Sequence, residues 1–250
     1  MVNLKSSRPL RLANRKTARA PRRGRTEEEI VSQIVTAISY QRLPPGTKLG
    51  EQKLGAIFGV SRPRIRQVLF RLQAANLITL SRNRGAFVAR PTPTEAREVF
   101  AARRVVEAAI VALLVANLDG PQLAELRAHT RAEDAARDQQ DTHELIKLTG
   151  GFHVRLAEKA GNAVLCGILR ELVARSSLII ALYQSPGTRT CPSHEHRALL
   201  DAIEARNAAR AGKLMREHLQ HIERALDLDS TPERAIDLAS VFAPARAAGS

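Results

Sequence analysis

The chain has only two cysteines, Cys166 and Cys191, in 250 residues, and no CxxC spacing. A disulfide framework is therefore excluded, and both read as free thiols in a reducing compartment. Long apolar runs are missing too. The longest, "AAIVALLVA" from Ala108 to Ala116, is far short of the roughly 20 residues a membrane-spanning helix needs, so no membrane segment is expected and a cytoplasmic location follows. The basic N-terminus has no hydrophobic stretch behind it, which argues against a secretory signal and leaves an organelle leader as the other targeting reading. Acid is absent from residues 1–25, which hold nine Lys/Arg. Beyond residue 94, strand signals are absent.

These absences divide the chain. The net charge of +14 is carried by the basic arm and by residues 26–92, where ten Lys/Arg face four acids. Residues 93–250 carry twenty Lys/Arg against twenty-one acids. A basic segment joined to a neutral one predicts that only the first meets a polyanion. With 44% hydrophobic residues the chain can bury a substantial core, and two domains are expected.

Residues 1–25 have too little apolar periodicity to offset the entropy of ordering and read as a flexible basic arm. "TEEEIVSQIVTAISY" opens the reader domain, residues 26–90: Thr26 as N-cap, three glutamates in the first turn, and Ile30, Ile34 and Ile38 on one face. "LPPGTKL" reads as a turn and "GEQKLGAIF" as a short second helix. Gly59 ends that helix before Ser61 caps a third, in which Ile65, Val68, Leu69 and Leu72 form an apolar stripe. Pro63 sits in its first turn, and Arg62 and Arg66 lie one turn apart on its flank. "LITL" and "AFVA", separated by the five-residue loop "SRNRG", predict a hairpin. Three short helices and a hairpin make a winged helix-turn-helix.

"PTPT" at 91–94 is read as a stiff linker over 91–93. From 94 to 228 the pattern predicts an all-helical antiparallel bundle of six or seven helices, with spans at 94–117, 121–138, 141–160, 162–184, 191–206 and 208–228. Residues 229–250 read as a flexible tail.

In a helix-turn-helix the second helix enters the major groove with its N-terminal residues nearest the bases. Arg bonds guanine O6 and N7 bidentately, and Ser61 at the helix N-terminus is placed for a phosphate. Arg82, Arg84 and Gly85 form the wing. The plainer alternative is that these arginines solvate a surface helix. "LPPGTKLGEQKLGAIFGVSRPRIRQVLFRLQAANLITLSRNRGAFV" resembles the DNA-binding domain of the GntR family of bacterial transcription regulators, through the PG turn, the "GVSR" entry, the second Arg four residues on and the "RG.FV" wing. That resemblance implies double-stranded DNA as partner, with Ser61, Arg62, Arg66 and Gly85 as contacts. Arg64 and Ile65 stand where the family commonly has Pro and Val, and Gln67 where it has Glu. Arg64 is therefore the first place to look for an unusual operator preference.

Seven histidines all lie after residue 128. His153, His196 and His218, if they converge inside the bundle, could hold Zn(II), Ni(II) or another divalent ion; singly, each reads as an ordinary surface or hydrogen-bonded histidine. Glu195, His194 and His221 are near in sequence but have no spacing argument. "FH..L...AGN", "EH..LL.AI" and "A...M..HL" resemble the FCD effector domain of the FadR subfamily. The resemblance implies a metal held by these three histidines and an Asp four residues before the first. Thr149 stands there instead, leaving a three-His site or direct effector binding, with Thr149 and Arg103 as effector candidates. The plainer reading of Arg103 is a surface ion pair with Glu107 at i+4.

The expected function is a homodimeric regulator, most simply a repressor, released or re-oriented by a small organic acid. Two other classes compete: a metal-dependent enzyme on the three histidines, which lacks an evident Glu general base, and an architectural protein that binds nucleic acid by charge alone.

Overall fold

A computed structural model of the chain describes residues 25–184 and 192–228. The calls on the basic arm up to residue 24, on the 229–250 tail and on Cys191 lie outside the described residues. Cys166 is free and buried.

The reader begins with α1 (Glu27–Ser39), fixed by a reciprocal capping box between Thr26 and Glu29. Then come α2 (Glu51–Phe58) and α3 (Arg62–Ala74). The turn between α2 and α3 depends on two glycines. Gly59 closes α2 with a left-handed φ of 67°. A Cβ on Gly55 would sit 3.0 Å from the Val60 carbonyl oxygen, so a side chain there would force the backbone of the turn to give way slightly. The stripe on α3 is buried as expected: Ile65, Val68, Leu69 and Leu72 join Ile30, Ile34 and Ile38 of α1.

Three differences from the sequence reading appear here. "LPPGTKL" is more than a turn: Lys48–Leu49 form a short strand, β1, which pairs antiparallel with β3 (Gly85–Val88) in a sheet ordered β1-β3-β2. Its two residues are too few to leave an alternating pattern. The wing loop is three residues, 82–84, because Ser81 of β2 (Ile78–Ser81) pairs with Gly85. Ser61 occupies the N-cap position of α3, yet its side chain makes no capping hydrogen bond; the hydroxyl remains exposed at the helix start.

The stretch 91–93 does not act as a free spacer. Thr92 caps α4 (Pro93–Asn117) through a capping box with Glu95, and the Pro91 carbonyl accepts from the Tyr183 hydroxyl at 2.8 Å. Then follow α5 (Gly120–Asp138), α6 (Thr142–Lys159), α7 (Ala163–Tyr183), α8 (Ser193–Glu204) and α9 (Ala208–Arg224). These six helices, among the described residues, share a second buried core running from Ala96 to Leu226. The two cores meet at α7, whose Ala174 and Leu178 are buried within the reader's cluster. No helix among the described residues is long and apolar enough to cross a membrane.

Candidate nucleic-acid interface and histidine centre

The candidate contacts of the reader are all exposed. Ser61, Arg62, Arg64 and Arg66 are exposed at the start of α3, and Arg82, Arg84 and Gly85 at the wing. Gly85 has a φ of 97°, a conformation that suits glycine at the end of the wing loop. The sequence reading missed Lys48. Once β1 forms, Lys48 stands opposite Phe87, with its ammonium 6.0 Å from the ring centroid; the Arg84 guanidinium lies 5.7 Å from the same ring. One aromatic face thus orients two cations of the wing. The one signal for Lys48 in the sequence was its place inside the basic segment.

The arginines of α3 are paired rather than loose. Arg66 Nε donates to Glu51 Oε1 at 2.8 Å, and Arg62 Nε lies 3.6 Å from Glu51 Oε2. Arg64 Nε is 3.8 Å from Glu27, and Arg71 Nη1 is 2.8 Å from Glu28. The Arg66 hydrogen bond holds the Glu51 carboxyl below its ordinary pKa, and in return raises that of Arg66.

In the bundle, His153 of α6, His196 of α8 and His218 of α9 converge. One ligand atom from each lies within 4.8 Å of the others, and all three residues are buried. His218 Nε2 is 3.3 Å from both His153 Nε2 and His196 Nε2. Each Nδ1 meets a carboxylate: His153 with Glu107 at 2.5 Å, His196 with Glu133 at 2.8 Å and His218 with Glu195 at 2.7 Å.

The electrostatics fix the protons. Burial works against the charge of Glu107, but Arg103 and His153 outweigh it and hold its carboxyl at about 2. Glu195 is likewise held at about 2, burial being outweighed by hydrogen bonds from His218 and His221. An ionised carboxylate only accepts, so the facing Nδ1 carries the proton and Nε2 keeps its lone pair. Burial pushes His153 down to about 3 and His196 well below its ordinary value, so neither of these two rings takes up a second proton readily. A divalent cation between the three Nε2 atoms would relieve the crowding of their lone pairs. The donor set and its carboxylate shell fit a Zn(II)- or Ni(II)-type ion.

The Thr149 hydroxyl donates its proton within its own helix, to the carbonyls of Leu145 at 2.9 Å and Ile146 at 3.3 Å, and keeps its oxygen lone pairs. Arg103 does pair with Glu107, at 2.7 Å, but the pair is buried rather than on the surface, at 3% and 0% exposure. Arg103 Nη1 also donates to Ser176 at 3.0 Å, while its Nη2 is buried without a hydrogen-bond partner. Glu195, which spacing did not promote, bonds both His218 and His221. Three glutamates lie against the histidines, Glu107, Glu133 and Glu195, each meeting an Nδ1 atom. Glu133 is pushed up to about 7 by burial, and its Oε1 has no hydrogen-bond partner. A separate cleft of about 570 Å³ lies between reader and bundle, lined by Tyr40, Arg71, Arg155 and Arg170 among others.

Comparison with known proteins agrees in both halves. Residues 26–88 match the family described as bacterial regulatory proteins, gntR family, and residues 98–221 match the FCD domain. The chain is 29% identical over 192 residues to the HTH-type transcriptional repressor GlaR of Escherichia coli, covering 70% of this chain and 84% of that protein. It is 22% identical over 187 residues to the E. coli repressor RspR, covering 74% and 81%. Among solved structures, E. coli McbR/YncC superposes with a TM-score of 0.71 at 21% identity, over 78% of this chain and 93% of that one. A putative GntR regulator from Rhodococcus superposes with a TM-score of 0.68 at 25% identity, over 79% and 95%.

Proposed function

The chain belongs to the GntR family of helix-turn-helix transcription regulators with an FCD effector-binding domain, and from that premise we propose a cytoplasmic, metabolite-responsive repressor that binds a pseudo-palindromic operator as a homodimer. The members of this family are regulators, not enzymes. The repressor reading is supported by the names of the relatives RspR and GlaR.

The observation that carries the effector half is the facing of three buried Nε2 atoms, each ring braced by a carboxylate. His153, His196 and His218 would hold a divalent ion, which when bound supplies coordination positions for an organic carboxylate. The unpartnered Nη2 of Arg103 offers a second, charge-assisted bond to an acidic effector. Thr149 donates its hydroxyl proton within its own helix, so as an effector contact it would act through its oxygen lone pairs.

Dimerisation is supported by uncovered apolar residues on the bundle: Val105 of α4 is 73% exposed and Val164 of α7 is 72% exposed, and Ile168 lies one turn beyond Val164. A single reader spans too few base pairs for genomic selectivity, whereas a two-fold dimer reads two half-sites. An effector shifts DNA binding only by favouring one arrangement of the two readers.

Elemental analysis of protein purified under metal-replete conditions tests the centre. About one ion per chain is expected, lost in His153→Ala, His196→Ala and His218→Ala; an ion-free wild type would reject it. Competition among duplexes tests the reader, since an architectural protein driven by charge binds them all equally at fixed salt.

A further inference from the structure

Four arginines lie on α3, and each faces a glutamate contributed by another helix. Glu51 differs from the rest because it serves two at once. It sits in the first turn of α2 with 27% of its side chain exposed; Oε1 takes Arg66 Nε and Oε2 faces Arg62 Nε, whose side chains are 56% and 63% exposed. Arg66 is therefore oriented through Nε by this carboxylate, while Arg62 is drawn to the same group by charge without a hydrogen bond.

Two consequences follow from the chemistry. A guanidinium held at Nε has its plane fixed and its two terminal amino groups left for a bidentate acceptor such as guanine O6 and N7. A carboxylate at the protein–DNA surface also repels backbone phosphate, and an arginine already matched to an anion gains less from a phosphate oxygen. The first effect favours the correct base; the second penalises sequence-independent docking. Glu27 and Glu28 supply only the second.

From this geometry we infer that Glu51 is a positioning and specificity-determining residue, which fixes Arg66 for base readout, holds Arg62 beside it by charge, and suppresses binding to unrelated DNA. The inference rests on α3 being the recognition helix and names which acidic residue sets its selectivity.

The test uses the full chain, an operator fragment selected from the source genome, and an unrelated duplex of equal length at two salt concentrations. Glu51→Gln should bind the unrelated duplex about 3- to 5-fold more tightly, as expected for one fewer negative charge near phosphate, while its operator affinity falls. The ratio of the two affinities then drops at least tenfold. Glu27→Gln, which removes the same charge beside Arg64 only, should strengthen both affinities alike and leave the ratio in place. Glu51→Asp keeps the charge but shortens its reach, so it should weaken operator binding with unrelated DNA unchanged; it also serves if Glu51→Gln folds poorly. Equal shifts in Glu51→Gln and Glu27→Gln would overturn the inference. If Arg66→Ala kept full operator affinity, the recognition-helix reading itself would fall; if Arg66→Ala lost it and the Glu51→Gln ratio held, only the role of Glu51 would.

Discussion

Arg66–Glu51 on the reader and Arg103–Glu107 in the bundle are the same chemical pair at nearly the same distance, 2.8 and 2.7 Å, yet they have opposite roles. The reader's pair stands at the surface. Water competes for both partners, so the bond adds little to stability, and because it engages only Nε it leaves the terminal amino groups of the arginine for DNA. The bundle's pair is sealed from water, and Glu107 is shared with His153 and Arg103 with Ser176. There the bonds cannot be exchanged without stranding a charge, so they hold an imidazole in one orientation and one proton state. Burial, rather than residue type, separates a pair that adds little to stability from one on which the core depends.

The comparison breaks first at the buried pair. Glu107→Ala leaves Arg103 uncompensated in the core and should cost about 3 to 5 kcal/mol in denaturant unfolding. Glu51→Gln should shift the melting temperature by less than about 3 °C. Similar losses in both variants would remove the distinction.

Function should reverse that order. Arg66→Ala is expected to reduce operator affinity by about 10- to 100-fold in fluorescence anisotropy while leaving the thermal melt in place. An unchanged operator isotherm would count against α3 as the reading helix. A smaller effect is expected from Glu195→Gln, which leaves the three imidazoles but weakens the brace on His218. Zinc affinity measured against a chromophoric chelator should fall about tenfold, at the lower end for a residue behind a ligand. The smallest belongs to Thr149→Val. With its hydroxyl bonded to its own helix, zinc affinity should stay within about twofold, and a larger loss would return Thr149 to the site.

Helix positions were legible because the apolar spacing is long and regular: α4 was placed at 94–117 and occupies Pro93–Asn117. The histidines were legible only through the motifs around them, since convergence is a tertiary property. Their carboxylate partners were not. Glu107 and Glu133 lie 46 and 63 residues from the rings they bond, and no local pattern links them. Arg103 and Glu107 have the i,i+4 spacing of a surface pair whether or not the helix face is covered. β1 was hidden by its length, and with it Lys48, because two residues cannot show alternation.

Whether the exposed arginines on α3 read sequence is decided by competing sheared genomic fragments for the purified full chain at fixed salt. A small set of fragments should bind at least about 1,000-fold more tightly than bulk DNA and share a two-fold symmetric motif. Uniform affinity across the fragments would contradict sequence reading by α3.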